Sequence, residues 1–304
     1  MPGVIPSSPR ACRLVLQRSA RRYLVIEGTD MSRLLEFDST KCTRDGVCVA
    51  VCPSRIIRLE DESPIPSVVP DADFDCVKCG HCVTACPHGA VSHASMKPED
   101  CPPVRPDLAL DPDHVEHFLR SRRSVRSFQQ RRVERKTLAK LIQIARYAPT
   151  GHNAQAVRWI AVDSPARVKE MAGITIDFLR SITDEGGPSE LPAGALVKAW
   201  ESGVDLVTRD APALIVAHAP AGDPVACADP ILALSYLELA TPSFGLGACW
   251  NGFLMTAIHR WPPLSRALGL PEGDRALGVL ILGYPAHKYL RLPTRRKPRI
   301  DWLE

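Results

Sequence analysis

Residues 76–87 read Cys76-Val77-Lys78-Cys79-Gly80-His81-Cys82-Val83-Thr84-Ala85-Cys86-Pro87. The spacing is Cys-x2-Cys-x2-Cys-x3-Cys-Pro, which places three cysteines on one tight loop, where they reach three corners of a cubane-shaped iron–sulfur cluster. A small residue such as Gly80 lets backbone amides point at the sulfur atoms, and the fourth cysteine starts a helix that carries it to a second cluster. The stretch therefore predicts a small module folded round iron–sulfur clusters.

A degenerate copy of the pattern lies 34 residues earlier in the chain. Residues 48–53 read Cys-Val-Ala-Val-Cys-Pro, and residues 82–87 read Cys-Val-Thr-Ala-Cys-Pro. A repeat of this kind indicates two half-modules that arose by duplication. In the first half Asp45 stands where the second cysteine of its run is expected.

Crossed ligation, in which the fourth cysteine of each run serves the other cluster, divides the ligands into two sets. The first set, predicted to hold a 4Fe-4S cluster, is Cys76, Cys79, Cys82 and Cys52. The second set is Cys42, Cys48 and Cys86, with Asp45 facing the fourth corner. Because a carboxylate or water is a harder ligand than a thiolate, we expect a 3Fe-4S cluster or a labile 4Fe-4S cluster there. If Asp45 is only a turn residue before Gly46, this second site is empty.

Residues 35–95 are rich in cysteine, proline and aspartate, with short β-like pieces at 56–59 and 67–69. A zinc ribbon also uses pairs of cysteines, but it needs neither the third and fourth cysteines of each run nor the following proline. The stretch resembles the bacterial two-cluster ferredoxins over about 60 residues, and the resemblance implies one-electron transfer.

From Val115 onward, helical and strand patterns alternate. Leu138, Leu141, Ile142 and Ala145 lie at i, i+3, i+4 and i+7, which predicts a helix that ends near Pro149. Further helices are predicted over 166–182, 195–209 and 231–239, and buried strands over 157–162, 213–217 and 277–282. These elements predict an α/β or α+β layered domain.

Two stretches of this domain offer groups to a phosphorylated, flat ligand. Residues 121–128 contain Arg122, Arg123, Ser124 and Arg126, and guanidinium groups beside a hydroxyl can clamp an anion. The alternative is a solvated basic surface. Residues 148–155 form a Pro-x-Gly turn followed by asparagine and glutamine, which can bind the polar edge of a heterocycle. The alternative here is an ordinary loop.

The two motifs, in this order and spacing, resemble the FMN-dependent nitroreductase family. The resemblance continues through residues 245–253, 282–285 and 295–298 and covers nearly all of residues 113–304. It implies that FMN phosphate and ribityl groups are bound by Arg122, Ser124 and one or both of Arg295 and Arg296. It also implies that Arg126 lies over the N1/O2 edge of the flavin.

The same resemblance implies how the flavin ring is held. Pro149, Thr150, Gly151 and Asn153 are expected to contact the isoalloxazine, and backbone amides near Asn251 and Gly252 to approach N5. His152 is a weak candidate for a proton donor at the flavin, against the alternative of an exposed loop histidine. Family members form intertwined homodimers with flavin at the subunit interface, so we expect a homodimer. The joining of a ferredoxin module to a nitroreductase domain is itself known within the family.

The predicted organisation is α+β, a small two-cluster ferredoxin-like module followed by a nitroreductase-like layered domain with a central sheet and flanking helices. We assign residues 1–30 to an N-terminal extension, 31–95 to the ferredoxin-type domain, 96–112 to a Pro-rich linker and 113–304 to the FMN domain. The first 30 residues hold five arginines but no apolar segment typical of an export signal. We expect a disordered tail there, or a true start at Met31.

Composition and charge limit the classes of molecule that the chain is expected to bind. Hydrophobic residues make up 45% and charged residues 24% of the chain, as in soluble globular proteins, and no apolar run is long enough to span a membrane. Residues 31–100 carry a net charge of −4 and residues 101–304 a net charge of +5, without the clustered basic surface typical of nucleic-acid binding. With seven of the 11 cysteines in metal-type spacing and no export signal, we expect a cytoplasmic protein.

Three functional hypotheses follow. The first is an oxidoreductase that passes electrons from an external low-potential donor through two clusters to FMN and on to an electrophilic acceptor such as a nitroaromatic, quinone or activated alkene. If NAD(P)H reduced FMN directly, the ferredoxin module would have no evident role in electron transfer. The second is a non-catalytic redox sensor or electron carrier. The third is a degenerate domain that serves only as a dimerisation scaffold and binds no flavin. Substrate choice is expected in loops such as residues 184–192.

Overall fold

A computed structural model describes residues 34–184, 192–222 and 227–303. The predicted N-terminal extension and nearly all of the predicted substrate loop lie outside these residues. The chain divides into two compact units. The first comprises Met1–Ala109 together with His152–Ala154, and the second comprises Leu110–Gly151 and Gln155–Glu304. Within the described ranges no helix is both long and apolar enough to cross a membrane.

The first unit consists of short elements joined by turns. In chain order they are β1 (Leu35–Phe37), α1 (Val47–Ala50), β2 (Ile57–Arg58), β3 (Ser67–Val68), α2 (Ala72–Asp75), α3 (His81–Ala85) and β4 (Val91–His93). Strand β1 pairs antiparallel with β4, and β2 pairs antiparallel with β3. The β2–β3 hairpin corresponds to the two predicted β-like pieces.

Positive backbone φ angles set the two cluster loops of the first unit. Gly46 precedes α1 at φ 74°, and Gly80 precedes α3 at φ 73°. This left-handed conformation carries no steric penalty in glycine, so each loop can turn sharply into its helix. The small apolar core beneath includes Leu35, Ile56 and Val83. The duplication inferred from the sequence is therefore visible as two loop–helix pairs.

The segment assigned to the Pro-rich linker contains two 3-10 turns, at Pro98–Asp100 and Pro106–Leu108. Prolines at the first position of each turn fit there because that position needs no N–H donor. The first helix of the second unit then begins at Pro112, capped by the Asp111 side chain, which accepts a hydrogen bond from the His114 N–H.

The second unit is built on a four-stranded antiparallel sheet. Its elements are α4 (Pro112–Ser121), α5 (Arg135–Ala145), β5 (Arg158–Val162), α6 (Pro165–Asp184), α7 (Ala193–Glu201), β6 (Ala213–Pro220), α8 (Asp229–Ala240), β7 (Gly247–Trp250), α9 (Gly252–Arg260), α10 (Pro262–Leu268) and β8 (Asp274–Gly283). The strand order is β5-β6-β8-β7. The predicted α+β class, with a central sheet and flanking helices, is confirmed.

Helices cover both faces of this sheet. Leu214 and Val216 of β6 pack in one core with α6, α9 and α10, while Ala213, Ile215 and Ala217 pack in the other core with α5 and α8. Because successive side chains of a strand point to opposite faces, a strand buried on both sides is apolar at every position. This is why residues 213–217 are recognisable as a strand from sequence.

One predicted helix was too long. The helix predicted over 195–209 ends at Glu201, and Gly203 follows at φ 84° with its N–H bonded to the Trp200 carbonyl. A left-handed glycine just after the last turn is a common helix stop. The buried Asp205 carboxylate then accepts hydrogen bonds from Val207 and Thr208 N–H groups and turns the chain toward β6.

Candidate functional site

The first unit brings four thiols round one cavity. Cys52, Cys76, Cys79 and Cys82 line it together with apolar side chains and His93, and it is partly open to solvent. Cys52 comes from the first cysteine run and the other three from the second. These are the four residues that the crossed pattern predicts for one 4Fe-4S cluster.

The surroundings of these thiols favour a bound cation. Burial, and after it the charges of the neighbouring Cys79, Cys52 and Cys76, raise the pKa of Cys82 to about 11. Burial likewise raises the pKa of Cys76. Thiolates this close together and this poorly solvated are stabilised by positive iron, so the donor set fits an iron–sulfur cluster. Within the described residues, no three or more His, Cys, Asp or Glu side chains are grouped to hold a single metal ion.

A second group forms at the other loop. The pKa of Cys48 is raised first by burial and then by the negative charges of Asp45, Cys42 and Cys86, which are its electrostatic neighbours. The Asp45 carboxylate is engaged within its own loop, since Oδ1 accepts from Val47 N–H at 3.0 Å. Its other oxygen accepts from the Thr43 hydroxyl at 3.4 Å. Asp45 therefore stands with the three cysteines and also shapes the turn before Gly46.

Backbone donors approach the sulfur atoms of both groups. N–H groups of Lys78, Val83 and Val49 lower the pKa of Cys76, Cys82 and Cys48 respectively, against the effect of burial. In addition, Ala90 N–H donates to Cys86 Sγ at 3.3 Å. Such N–H···S bonds stabilise negative charge on cluster ligands and so help to set the reduction potential.

In the second unit, the arginine-rich segment lies along the sheet. Val125 N–H donates to the Ala248 carbonyl of β7 at 2.9 Å, and Ser124 forms an isolated parallel bridge with Ala248. Further on, Gln129 N–H donates to the Tyr284 carbonyl at 2.8 Å. The extended backbone of residues 124–129 thus follows β7 and the end of β8, which fixes the position of the arginines before it.

Arg122 is paired with a buried acid. Its Nη1 donates to Glu238 Oε1 at 2.9 Å, and Trp250 Nε1 donates to Glu238 Oε2 at 2.9 Å. Arg122 Nη1 also lies 3.4 Å from Ser124 Oγ. Both carboxylate oxygens of Glu238 are therefore satisfied, and the guanidinium of Arg122 is held in one orientation.

Arg123 carries a buried donor without an acceptor. Its Nη1 donates to the backbone carbonyls of Arg120 and Arg122. Its Nη2 is buried and has no hydrogen-bond partner among the described residues. An unpaired buried donor is costly, and a charged one more so, so this nitrogen indicates a missing anionic partner. A phosphate group fits that requirement.

The positive charges of two more arginines act on Cys249. Burial raises the pKa of the Cys249 thiol, whereas the positive charges of Arg126 and Arg209 lower it. Arg209 has φ 56° and is followed by Asp210 at φ 51°, so two adjacent non-glycine residues are left-handed. Strained backbone of this kind is concentrated at functional sites. Cys249 itself is a small buried core residue.

The loop after α5 is also strained and firmly tied. Gly151 N–H donates to Oδ1 of the buried Asp229 at 3.1 Å, and Gln155 N–H donates to Thr150 Oγ1 at 3.1 Å. His152, Asn153 and Gln155 all have positive φ angles, of 52°, 55° and 49° respectively. Pro149 precedes this turn and is exposed.

The comparisons with known proteins identify the second unit. The sequence model of the nitroreductase family matches residues 119–284, which is more than half of the chain. The chain belongs to the nitroreductase family. A model of 4Fe-4S dicluster domains matches residues 40–90. A nitroreductase-family domain joined to a dicluster domain is the arrangement of an oxidoreductase, and both predicted resemblances are confirmed.

Solved nitroreductase structures share this fold. The nitroreductase with bound FMN from Bacteroides fragilis is 22% identical, aligned over 62% of this chain and 98% of that chain, with a TM-score of 0.53. The nitroreductase with bound FMN from Desulfitobacterium hafniense is 23% identical, aligned over 62% of this chain and 97% of that chain, with a TM-score of 0.50.

Some predicted flavin residues of the nitroreductase domain have other structural tasks. Asn251 caps α9, with Oδ1 accepting from Leu254 N–H at 3.0 Å and Nδ2 donating to the Val207 carbonyl at 2.8 Å. Its backbone N–H donates to the Val279 carbonyl, so this amide is already used by β8. Gly252 begins α9, where N–H groups lack intrahelical acceptors. A Cβ added to Gly252 would meet no atom within 4 Å, which leaves open space there.

The remaining predicted residues lie in the C-terminal segment and in the loop after α5. Arg295 and Arg296 are exposed in the C-terminal segment after β8, and Arg295 Nη1 lies 3.5 Å from the Thr294 carbonyl. His152 is exposed and, with Asn153, belongs to the first unit. Asn153 Nδ2 donates to the carbonyls of Val77 and Lys78 at 3.1 and 3.0 Å. The roles assigned to these residues stay predictions.

The structure adds residues that the sequence did not suggest. Glu238 orients Arg122, and Asp229 holds the turn at Gly151. Arg209 adds positive charge that acts on Cys249. A signal existed for Glu238, because it is the only acid between Pro230 and Ala240 in an apolar helix. An acidic side chain is rarely buried unless it is paired. For Arg209 no sequence signal distinguishes it from other loop arginines.

Proposed function

We propose that this protein is an iron–sulfur flavoprotein oxidoreductase. Electrons from an external low-potential donor would enter a two-cluster module over residues 31–95 and reach FMN in the domain over residues 113–304, with 96–112 as linker and 1–30 as an extension. The final acceptor would be an electrophile such as a nitroaromatic, quinone or activated alkene. The observation that carries the proposal is the division of the cysteines into two groups, each drawn from both runs.

The cluster assignments follow from those groups. Cys52, Cys76, Cys79 and Cys82 would hold a 4Fe-4S cluster, because all four line one cavity. Cys42, Cys48 and Cys86 would hold the second cluster, with Asp45 at its fourth corner. Since both Asp45 oxygens already accept hydrogen bonds in the loop, we favour a 3Fe-4S cluster or an easily lost fourth iron there.

FMN suits the groups that the second unit presents. Arg122 and Ser124, with the unpaired Arg123 Nη2, offer donors to a phosphate. Arg126 and Arg209 supply positive charge beside β7, which suits an anionic reduced flavin edge. The turn at Gly151, held by Asp229, and the open space at Gly252 suit a flat ring. The FMN bound to the two similar solved nitroreductases supports the same proposal.

The proposed cofactors and the protein side chains have separate roles. The clusters supply one-electron transfer, and FMN supplies coupling to two-electron reduction of an acceptor. The chain binds the phosphate with its arginines, holds the turn at Gly151 and keeps positive charge near Cys249. We propose no proton donor among these residues beyond the weak candidate His152, whose imidazole is exposed.

We also propose a cytoplasmic homodimer. Ile231, Leu232 and Tyr236 form an exposed apolar surface on α8, and the segment after β8 has no regular helix or strand through residue 303. Both features suit burial against a second copy. The reducing cytoplasm suits thiols that are proposed to bind iron rather than to form disulfides. The physiological donor would be a ferredoxin or a similar carrier, since the cluster module would otherwise have no task.

Anaerobic purification with metal and flavin counting tests the proposal. Iron, acid-labile sulfide, zinc and extracted FMN are quantified per chain, and EPR spectra are recorded before and after dithionite. We expect about one FMN and about seven to eight irons, with a dithionite-reducible signal from 4Fe-4S clusters. Bound zinc without sulfide contradicts the cluster proposal, and protein without flavin leaves only a ferredoxin-like or scaffold function.

Turnover separates the enzyme from the sensor or carrier. Reduction of a quinone and a nitroaromatic is followed anaerobically with reduced ferredoxin as donor and with NADPH as the comparison. The matched variants are Arg123→Ala, which removes the unpaired donor, and Arg135→Ala, an exposed arginine elsewhere in the second unit. We expect Arg123→Ala to lose FMN and turnover while Arg135→Ala keeps both. Full FMN and clusters without turnover of any acceptor would favour the sensor or carrier.

A further inference from the structure

A buried imidazole faces the four-cysteine cavity of the first unit. His93 ends β4, has a relative exposure of 6% and lines the cavity with Cys52, Cys76, Cys79 and Cys82. Its Nε2 lies 3.8 Å from Cys76 Sγ, within hydrogen-bond distance for sulfur. By contrast, His81, which the sequence places inside the cysteine loop, is exposed, and its Nδ1 lies 3.4 Å from the Cys79 carbonyl.

The hydrogen bonds of His93 assign its tautomer. The backbone N–H of Ser95 points at Nδ1 from 2.9 Å, and the Ser95 hydroxyl lies 2.8 Å from the same nitrogen. A backbone N–H can only donate, so Nδ1 must accept and cannot carry a proton. The ring proton is therefore on Nε2, the nitrogen that faces Cys76.

The turn that carries His93 is locked. His93 N–H donates to the Met96 carbonyl and Met96 N–H donates to the His93 carbonyl, each at 2.9 Å. Met96 packs over Gly80 so closely that a Cβ there would lie 2.6 Å from its sulfur. The imidazole is therefore fixed relative to the cysteine loop by main-chain bonds and by packing.

We propose that His93 is a positioning residue that donates an Nε2–H···S hydrogen bond to Cys76 and raises the reduction potential of the cluster bound by Cys52, Cys76, Cys79 and Cys82. The bond adds to the backbone N–H that Lys78 already directs at Cys76. On reduction the cluster gains one electron from the external donor, and the proton stays on Nε2. Because the added negative charge spreads onto the sulfurs, a donor there stabilises the reduced state more than the oxidised state. The inference rests on the proposed cluster ligation.

Redox titration of the full-length holoprotein tests this. The variants are His93→Phe, which removes the donor, His93→Gln, which can keep an N–H near the Nε2 position, and His81→Phe as the matched control. The signal of the affected cluster is identified by its loss in Cys79→Ala, and the other cluster serves as internal reference. We expect His93→Phe to lower the equilibrium constant for reduction about tenfold, or about 59 mV for a one-electron couple.

The remaining variants show whether the effect on the potential is specific to His93 and its N–H group. We expect His93→Gln to restore part of the loss, and His81→Phe and the second cluster to keep the wild-type potential. A His93→Phe protein with full iron and sulfide and an unchanged potential overturns the inference. Iron and sulfide counts are taken first, because wild-type protein without clusters would instead reject the proposed function.

A measurement on the unmutated protein covers the case in which His93→Phe fails to assemble the cluster. Histidine labelled with ¹⁵N in the ring is incorporated, and pulsed EPR is recorded on the dithionite-reduced protein. We expect a weakly coupled ring nitrogen and an exchangeable proton, both unchanged in His81→Phe. The ring-nitrogen coupling disappears in His93→Gln, which has no ring, while its amide N–H can keep a proton coupling. Absence of any ring-nitrogen coupling in the wild-type protein overturns the inference.

Discussion

Arg122 donates to a buried carboxylate, Glu238, at 2.9 Å. The Glu238 side chain is 7% exposed and that of Arg122 is 31% exposed, so the acid depends on this arginine for its charge balance. Removing one partner of a buried pair leaves the other uncompensated, which is strongly destabilising. The residue proposed to bind phosphate is therefore also a structural residue, and the two roles must be separated experimentally.

We expect Arg122→Ala to lower the free energy of unfolding of the second unit by about 2–3 kcal/mol, less than for a fully buried pair because Arg122 is partly exposed. Arg122→Ala/Glu238→Gln should recover part of that loss, because the double variant no longer buries an unpaired charge. Both should retain less FMN than the wild type. Urea unfolding followed by tryptophan fluorescence measures this, since all five tryptophans lie in the second unit.

Arg135→Ala is the control for this cycle. Its ion pair with Asp163 is formed by an arginine side chain that is 85% exposed, and exposed pairs contribute little. It should change neither stability nor FMN content measurably. A double variant no more stable than Arg122→Ala would show that Glu238 does not depend on Arg122.

Local signals predicted the main elements of the fold well. The strands β6 and β8 are apolar runs because helices cover both faces of the sheet, and α5 has a clear helical repeat. Strand β5, predicted to be buried, lies at the edge of the sheet, where all of its residues are partly or fully exposed. The strand β7 was not predicted, because Gly247 and Ala248 have little preference for strands and are held by pairing with β8. Pairing with a strand that is distant in sequence cannot be predicted from a short window of residues.

Prediction of the candidate site from sequence is limited in the same way. Cysteine spacing predicted which thiols meet, since each run is confined to one short loop. Glu238 and Arg122 are 116 residues apart, and the pairing of such distant side chains depends on the register of whole elements. His93 was likewise missed, because only the closed turn with Ser95 and Met96 directs its ring at Cys76.

Cys52→Ala tests the crossed grouping of ligands. Cys52 is four residues from Cys48 in sequence, yet it shares a cavity with Cys76, Cys79 and Cys82. We expect the variant to lose the 4Fe-4S signal that Cys79→Ala also loses, and to keep the signal of the Cys48 group. Iron counting and EPR of the reduced protein measure this. Loss of the same signal in Cys52→Ala and Cys48→Ala would contradict the grouping.

Asp45→Cys tests the character of the second cluster. The substitution restores a thiolate at the fourth corner, which is a softer and stronger ligand for iron than a carboxylate. We expect the iron count to rise to about eight per chain and any 3Fe-4S signal of the oxidised protein to disappear. Asp45→Ala is the paired variant and should keep or increase the 3Fe-4S signal. An identical iron count and EPR spectrum in all three proteins would mean that residue 45 does not face the cluster.

Substitutions on the exposed surface of α8 test the proposed homodimer. Ile231 and Tyr236 are 45% and 44% exposed on this helix, whose opposite side packs in the core through Leu234 and Leu237. Ile231→Glu/Tyr236→Glu places two charges on that surface, and burying unpaired charge at an interface opposes association. We expect a monomer by light scattering and reduced FMN content, because the nitroreductase resemblance places flavin between subunits. Val104→Glu, an exposed apolar position in the first unit, is the control and should remain dimeric. A double variant that stays dimeric with full FMN would place the interface elsewhere.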